Sequence, residues 1–412
     1  MKEKSPDTGT RYATYSWFCF GLQFTFLIIL IARHYVLQQP QSPALGMDFA
    51  VYWSAARVAI EHGAAAIYSP EFMRPLELAV RPYMDYTPWP YPPTFLPFVL
   101  PLGWLSFNAA LVTFLTASIL LYVYAMHLIA RPIGIQTWRY SLGFPAIFIV
   151  ISFGQNSLLT AAIAAIALSL LPTRPIIAGA AIALLSIKPQ LGVLFPVALI
   201  CGQRWKAFFS AIFFTGLYAG ACLLTFGVNS FTAFYHALGT FGSSWITQNS
   251  NDIWFAMTSI YGVLRVTGVS ATQAYLIQCV YGTLALGGIV IIWRGNYSHQ
   301  IKCAALASAT LMVSPYIIFY DLAWLAIAIA FIAADISRNG KNKALTLIAI
   351  IAWFLPFQAL LARWFPDIYQ WSPFALPIFL IVIVRHKLNK KAAPEGAAVD
   401  THLLLSNDTC DS

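Results

Sequence analysis

Charge is what this chain has least of. Only 9% of its 412 residues are Asp, Glu, Lys or Arg, 59% are hydrophobic, and the mean hydropathy is +0.70. A soluble domain of this length needs far more charge to cover its surface, so the composition excludes one and implies a polytopic membrane protein. The net charge of +9 is not a nucleic-acid footprint, because the cations sit in short loops between apolar runs, as orientation in a membrane requires. Cysteine is sparse too. Cys19, Cys201, Cys222, Cys279, Cys303 and Cys410 form no Cys-x-x-Cys pair, and five lie in or beside apolar segments. They read as small core hydrophobes, not as disulfides or metal ligands. The seven histidines are scattered without zinc spacing, and no Asp-x-Asp motif occurs, so neither a metal nor a cofactor is expected. The phosphate-cradling Gly-x-x-x-x-Gly-Lys-Ser/Thr and Gly-x-Gly-x-x-Gly loops are missing, which argues against a soluble nucleotide ligand. No internal repeat of fixed period is present.

What the chain has instead is long apolar runs. Phe18 to Ala32, Leu111 to Ala130 and Tyr275 to Trp293 approach or reach the roughly 20 residues that span a bilayer as helix. No small-residue cleavage site follows the first run, so it reads as an anchor. Placing the N-terminus inside, after Lys2, Lys4 and Arg11, puts 17 of the 24 Lys and Arg residues on the same side. That bias orients the chain and leaves Arg33, Arg57, Arg74, Arg81, Lys188, Arg265 and Arg363 outside. The expected fold is all-α: a polytopic membrane helix bundle of about 12 transmembrane or partial helices with a functional first outer loop. The spans fall near 16–37, 107–130, 141–153, 157–171, 176–187, 189–201, 208–226, 271–293, 302–315, 320–335, 344–361 and 373–385. Several are too short to cross alone and meet in pairs at Gly154-Gln155-Asn156 and Lys188-Pro189-Gln190. Broken helices are tolerated only where they line a cavity or pack inside protein, so these breaks suggest an internal site open to the outer face. The proline-punctuated stretch 92–105 reads as a re-entrant or surface segment. Residues 1–386 form the membrane domain, and 387–412 are expected to be a disordered cytoplasmic tail.

With so few charges, each one on the outer face is a question. Asp48, in Met47-Asp48-Phe49-Ala50-Val51-Tyr52-Trp53, lies about a dozen residues past the first span, a placement argued from span length. It precedes a helical pattern over Ala50 to Glu61, which makes it either a helix N-cap or a general base for a sugar hydroxyl. Arg57 could hold a phosphate by a bidentate contact or snorkel at the interface. Lys188, at a proline break between apolar runs, needs an anion: a substrate phosphate, or an acid such as Asp48 or Asp321. Gln155 and Asn156 offer amides on the same face for hydroxyl binding or capping. Asp321, at the head of a helix, is a cap or a second acid. The aromatics from Tyr83 to Tyr91 serve equally as interface anchors or as platforms for sugars and lipid tails. Within the second large outer loop, 227–270, the stretch Gly227 to Ile253, with Tyr235, Trp245, Gln248, Asn249 and Asp252, offers acceptor contacts.

Taken in order, these landmarks resemble glycosyltransferase family 87. They are Asp48-Phe49, Tyr52-Trp53, Ala55-Ala56-Arg57, Tyr68, Tyr91-Pro92-Pro93, Gly154-Gln155-Asn156, Ala178-Gly179, Lys188-Pro189-Gln190, Gly202-Gln203-Arg204-Trp205-Lys206, Ser314-Pro315-Tyr316 and Tyr320-Asp321. The resemblance covers about residues 47 to 325, a span read from these motifs. It implies a GT-C fold and a polyprenyl-phosphate sugar donor, with mannose the expected sugar. It also implies a lipid or glycan acceptor, and inverting transfer at the outer face of the cytoplasmic membrane. In this reading Asp48 is the general base, and Lys188, Arg57 and Tyr316 stabilise the departing lipid phosphate. Gln155, Asn156 and Gln190, with Tyr52, Trp53, Tyr91 and Asp321, make the sugar- and acceptor-binding set. Tyr316 stands where many members carry histidine, and a phenol brings a hydrogen bond there but no positive charge. A transporter or flippase of lipid-linked sugars is the competing function, and the lack of an internal repeat speaks against it.

Overall fold

The computed structural model describes residues 8–39, 45–82, 84–131, 142–242, 251–340, 342–365 and 367–385. The tail 387–412, Cys410, Tyr83, Trp245, Gln248 and Asn249 lie outside them. Apart from one isolated antiparallel bridge between Met257 and Ile318, every regular element among the described residues is helical. In chain order they are α1 (Thr8–Ile31), α2 (Phe49–His62), α3 (Pro70–Val80), a broken segment over Pro93–Trp104, α4 (Phe107–Ala130), α5 (Pro145–Phe153), α6 (Ser157–Leu170), α7 (Pro175–Ala183), α8 (Leu194–Cys201), α9 (Trp205–Phe226), α10 (Val228–Thr240), α11 (Asn251–Ala256), α12 (Ile260–Val266), α13 (Ala271–Arg294), α14 (His299–Val313), α15 (Leu325–Asn339), α16 (Lys343–Trp364) and α17 (Ser372–Arg385).

Six helical stretches among the described residues are long and apolar enough to cross a membrane: Tyr15–Val36, Phe107–Ala130, Trp205–Phe226, Ala271–Arg294, Phe319–Asn339 and Lys343–Trp364. Shorter apolar helices lie between them, so the molecule is a polytopic bundle and the expected fold class stands. Composition decides which helices face outward. Phe18, Leu22 and Phe24 of α1, and Phe209, Phe213 and Leu224 of α9, are exposed, the pattern of a lipid-facing surface. By contrast α6, rich in alanine, is buried nearly all round between α4 and α7. The alanines of α14 are buried against α13 and α15 in the same way. Small side chains let helix backbones approach closely where lipid leaves little hydrophobic drive for association.

The breaks gather at one end. Proline opens α5 and α7 at a first-turn position, where its missing N–H costs nothing, and both prolines lie at the end away from those breaks. Gly154 ends α5 in the left-handed region at φ 73°. At that same end, Asp48 donates its backbone N–H to the carbonyl of Phe153 (3.0 Å), Gly46 donates to Ser152 (2.9 Å) and Thr94 to Ser186 (2.8 Å). The first loop and the re-entrant segment are thereby stitched onto the helix breaks. The opposite end is closed by other contacts, including His299 with the carbonyl of Leu168 (2.9 Å) and Trp293 donating to Lys302 (3.1 Å). Residues 93–104 do not form one regular helix. Short 3-10 turns flank a single α turn there, as the prolines require.

Candidate active site

Asp48 stands just before α2, yet its side chain makes no capping hydrogen bond. Its Oδ2 instead accepts from Nε2 of Gln155 at 2.7 Å, across the break between α5 and α6. Gly154 makes this contact possible. A Cβ on it would stand 2.6 Å from Cβ of Phe49 and 2.8 Å from Cα of Gly46, so any other residue would push the first loop off the break. The half-buried carboxylate has few partners, and burial raises its proton affinity above the usual carboxylate range. The hydrogen bond from Gln155 and the charges of Arg81 and Arg363 pull the other way. An acid whose proton affinity is raised by burial and that stays hydrogen-bonded is a candidate for proton transfer.

Behind Gln155 lies a buried aromatic wall. The Tyr52 hydroxyl is 2.5 Å from Oε1 of Gln155 and 2.7 Å from the Tyr91 hydroxyl. The Tyr52 ring meets Trp89, Tyr91, Phe95 and Phe114 edge-on, a favoured aromatic geometry. Tyr68 donates to the carbonyl of Tyr91 at 2.8 Å. Tyr52 and Tyr91 are thus packed into the core, where they support the site without forming an open platform.

Residue 157, on the far side of the same break, serves a second carboxylate. Asp321 accepts at Oδ1 from Ser157 (2.7 Å) and from Lys188 (2.5 Å), and at Oδ2 from the N–H of Ile318 (3.4 Å). Lys188 also lies 5.4 Å from the centre of the Tyr320 ring. Both members of the pair are buried. Between the two carboxylate ligands sits Asn156, fully buried, with neither amide atom hydrogen-bonded. Burial raises the phenol of half-buried Tyr316 above its ordinary proton affinity, with the charges of Asp48 and Asp321 adding to the effect. Its ring packs edge-on against Phe241. Gln155 and Ser157, two residues apart at one helix break, therefore each hold one of the two acids.

Asp48, Gln155, Asn156, Lys188, Tyr316 and Asp321 come together at this end, with Tyr52 and Tyr91 behind them. Gln190 follows Lys188 on the next turn and is half-buried. Arg57 is placed elsewhere. It pairs with Glu61 at 2.6 Å one helical turn on, lies over Trp53 and reaches toward the carbonyl of Gly103. Trp53 points the same way and donates to Leu105 at 2.9 Å.

Two contributors were not singled out from the sequence. Ser157 is one, and a serine opening a helix gives little sign of its tertiary partner. The other is the buried pair Glu77 and Arg81. Arg81 donates to Glu77 and to the carbonyl of Met47 (3.2 Å), while Glu77 also accepts from the N–H of Thr87 (3.0 Å). This pair clamps the residue next to Asp48. Its four-residue spacing on a helix was the available signal.

No curated protein and no solved structure matches the chain. Residues 89–315 match the model of Glycosyltransferase family 87, a match that takes in the 154–157 break, Lys188 and the approach to Tyr316, and over more than half of its length the chain belongs to that family: it is a membrane glycosyltransferase.

Proposed function

We propose that the enzyme moves a hexose, mannose by the family resemblance, from a polyprenyl-phosphate donor to a hydroxyl of a lipid or glycan acceptor, at the outer face of the cytoplasmic membrane. The observation that carries this reading is Asp48, a carboxylate released from capping, held by one amide and tuned upward by burial.

The chemistry follows from the residues. Asp48 takes the proton of the acceptor hydroxyl as that oxygen attacks the anomeric carbon, while the bond to the lipid phosphate breaks with its electron pair on the phosphate. Attack from the face opposite the leaving group inverts the anomeric centre. A lipid monophosphate is a good leaving group, and fixed donors that meet its growing charge lower the barrier further. Lys188 has three N–H donors, of which Asp321 takes one; the others serve the phosphate. The Tyr316 hydroxyl supplies a neutral donor beside it. Asn156, buried with both amide atoms unpaired, and Gln190 serve sugar hydroxyls.

The test is transfer of radiolabelled sugar in membranes, offering polyprenyl-phosphate mannose beside nucleotide-sugar donors. Wild type is expected to use the lipid donor, and Asp48→Asn to lose at least about a hundredfold of that rate, the scale of a general base. Transfer at the wild-type rate in Asp48→Asn overturns the base assignment, and use of a nucleotide sugar alone overturns the donor.

A further inference from the structure

A carboxamide is a donor at one end and an acceptor at the other, so the way Gln155 is turned decides what Asp48 meets. Its oxygen faces the Tyr52 hydroxyl at 2.5 Å and its nitrogen faces Asp48 at 2.7 Å. A carbonyl oxygen only accepts, so Tyr52 must donate to it. Having spent its single proton there, Tyr52 must accept from Tyr91, 2.7 Å away. The bonds therefore run one way, from Tyr91 to Tyr52 to Gln155 to Asp48.

The reverse direction has a cost. With the amide turned over, its oxygen would face Asp48, which suits only a protonated acid. Tyr52 would then donate to Tyr91, and the Tyr91 proton would need another acceptor. Among the described contacts that hydroxyl has none besides Tyr52, and Tyr91 is only 7% exposed. A buried donor without a partner is costly.

We propose that Tyr52 and Gln155 are positioning residues: the one-way chain from Tyr91 locks the Gln155 amide with its N–H toward Asp48, and so aims that carboxylate and keeps it ionised. Its meaning for catalysis rests on Asp48 being the base. The other charged and titratable groups around Asp48 are Arg81, Arg363, Asp321, Tyr91, Tyr316 and Tyr320. Of these, Tyr91 alone loses a described hydrogen bond when the Tyr52 hydroxyl is removed.

The experiment is an infrared pH titration of the purified protein in lipid nanodiscs. The carbonyl band of protonated Asp48 is identified by its absence in Asp48→Asn. In Tyr52→Phe the amide is free to turn, and the midpoint should move up by about one pH unit, the scale of a hydrogen bond gained or lost by a carboxylate. Transfer of radiolabelled mannose should fall most at low pH and recover as pH rises, with little change in KM for the donor. In a Gln155→Met background the same Tyr52→Phe change should add no further shift, since the link is gone. Should Tyr52→Phe not fold, Tyr91→Phe removes the proton that biases the chain and should shift the midpoint in the same direction. An unmoved midpoint, or equal shifts with and without Gln155, overturns the proposal. Wild-type transfer by Asp48→Asn would overturn the base reading instead, whatever the titration shows.

Discussion

At the scale of single residues, Asp48 is held in a place that favours its protonated form. Its folded-state proton affinity lies above the ordinary carboxylate value because burial outweighs the amide and the two guanidinium charges. The native state therefore binds more protons than the unfolded state between the unfolded and the raised folded pKa, and stability falls as pH rises through that window. Above it, the buried Asp48 carboxylate weakens the fold, a cost that the proposed base role would account for. Asp48→Asn is thus expected to raise the midpoint of thermal unfolding in detergent at neutral pH, by a few degrees at most, while transfer is lost; such a trade is common at active sites. A lowered midpoint would mean that the carboxylate holds the first loop in place.

At the scale of elements, the site is built on helix ends. The turn at Gly154 combines a positive φ with two close neighbours, Cβ of Phe49 and Cα of Gly46. Gly154→Ala should destabilise the protein by more than about 1 kcal/mol, the scale of a side chain forced into that region. Transfer should fall with it, because the first loop must move; denaturation and transfer assays on the same preparation check both. The Lys188–Asp321 pair ties the break before α8 to the start of the last well-buried helix. Removing one partner of a buried pair leaves a lone charge and costs about 3–5 kcal/mol. Lys188→Met should show a loss of that order, and Lys188→Met with Asp321→Asn should recover most of it. If Lys188 serves the donor phosphate, the double variant regains stability but not donor binding. Recovery of both would reduce the pair to a structural brace.

At the scale of the whole molecule, the two ends differ in kind. The breaks, both carboxylates and the first loop share one end. The loops with Arg204, Lys302 and Arg338 share the other, where burial first, and then the charges of these cations, hold the proton affinity of His299 down. By the positive-inside bias the first end is proposed to be the outer one. Cysteines introduced one at a time at Asp367 and Ser337, in a variant without native cysteines, should report this. A membrane-impermeant maleimide should label position 367 in intact cells and position 337 only after lysis; the opposite result would turn the enzyme over.

The sequence by itself determined the fold class, and most helix limits, because in a bilayer each span must satisfy its own backbone and apolar length counts the crossings. The expected spans 107–130 and 271–293 meet helices Phe107–Ala130 and Ala271–Arg294. It also marked Asp48, Gln155, Lys188 and Asp321, since polar residues in so apolar a chain stand out. The sequence offered Asp321 among the acids that could pair with Lys188, but which partner each group takes was decided only in the tertiary structure. Arg57 and Lys188 are both outer cations in sequence, yet one turns to Glu61 on its own helix and the other to Asp321, distant in sequence. Tyr52 and Tyr91, expected in the sugar- and acceptor-binding set, stand in the buried wall behind Gln155. Periodicity records which residues prefer apolar surroundings. Hydrogen bonds and ion pairs between distant segments depend on how the helices are packed, and that packing decided which carboxylate Gln155 and Ser157 would each hold.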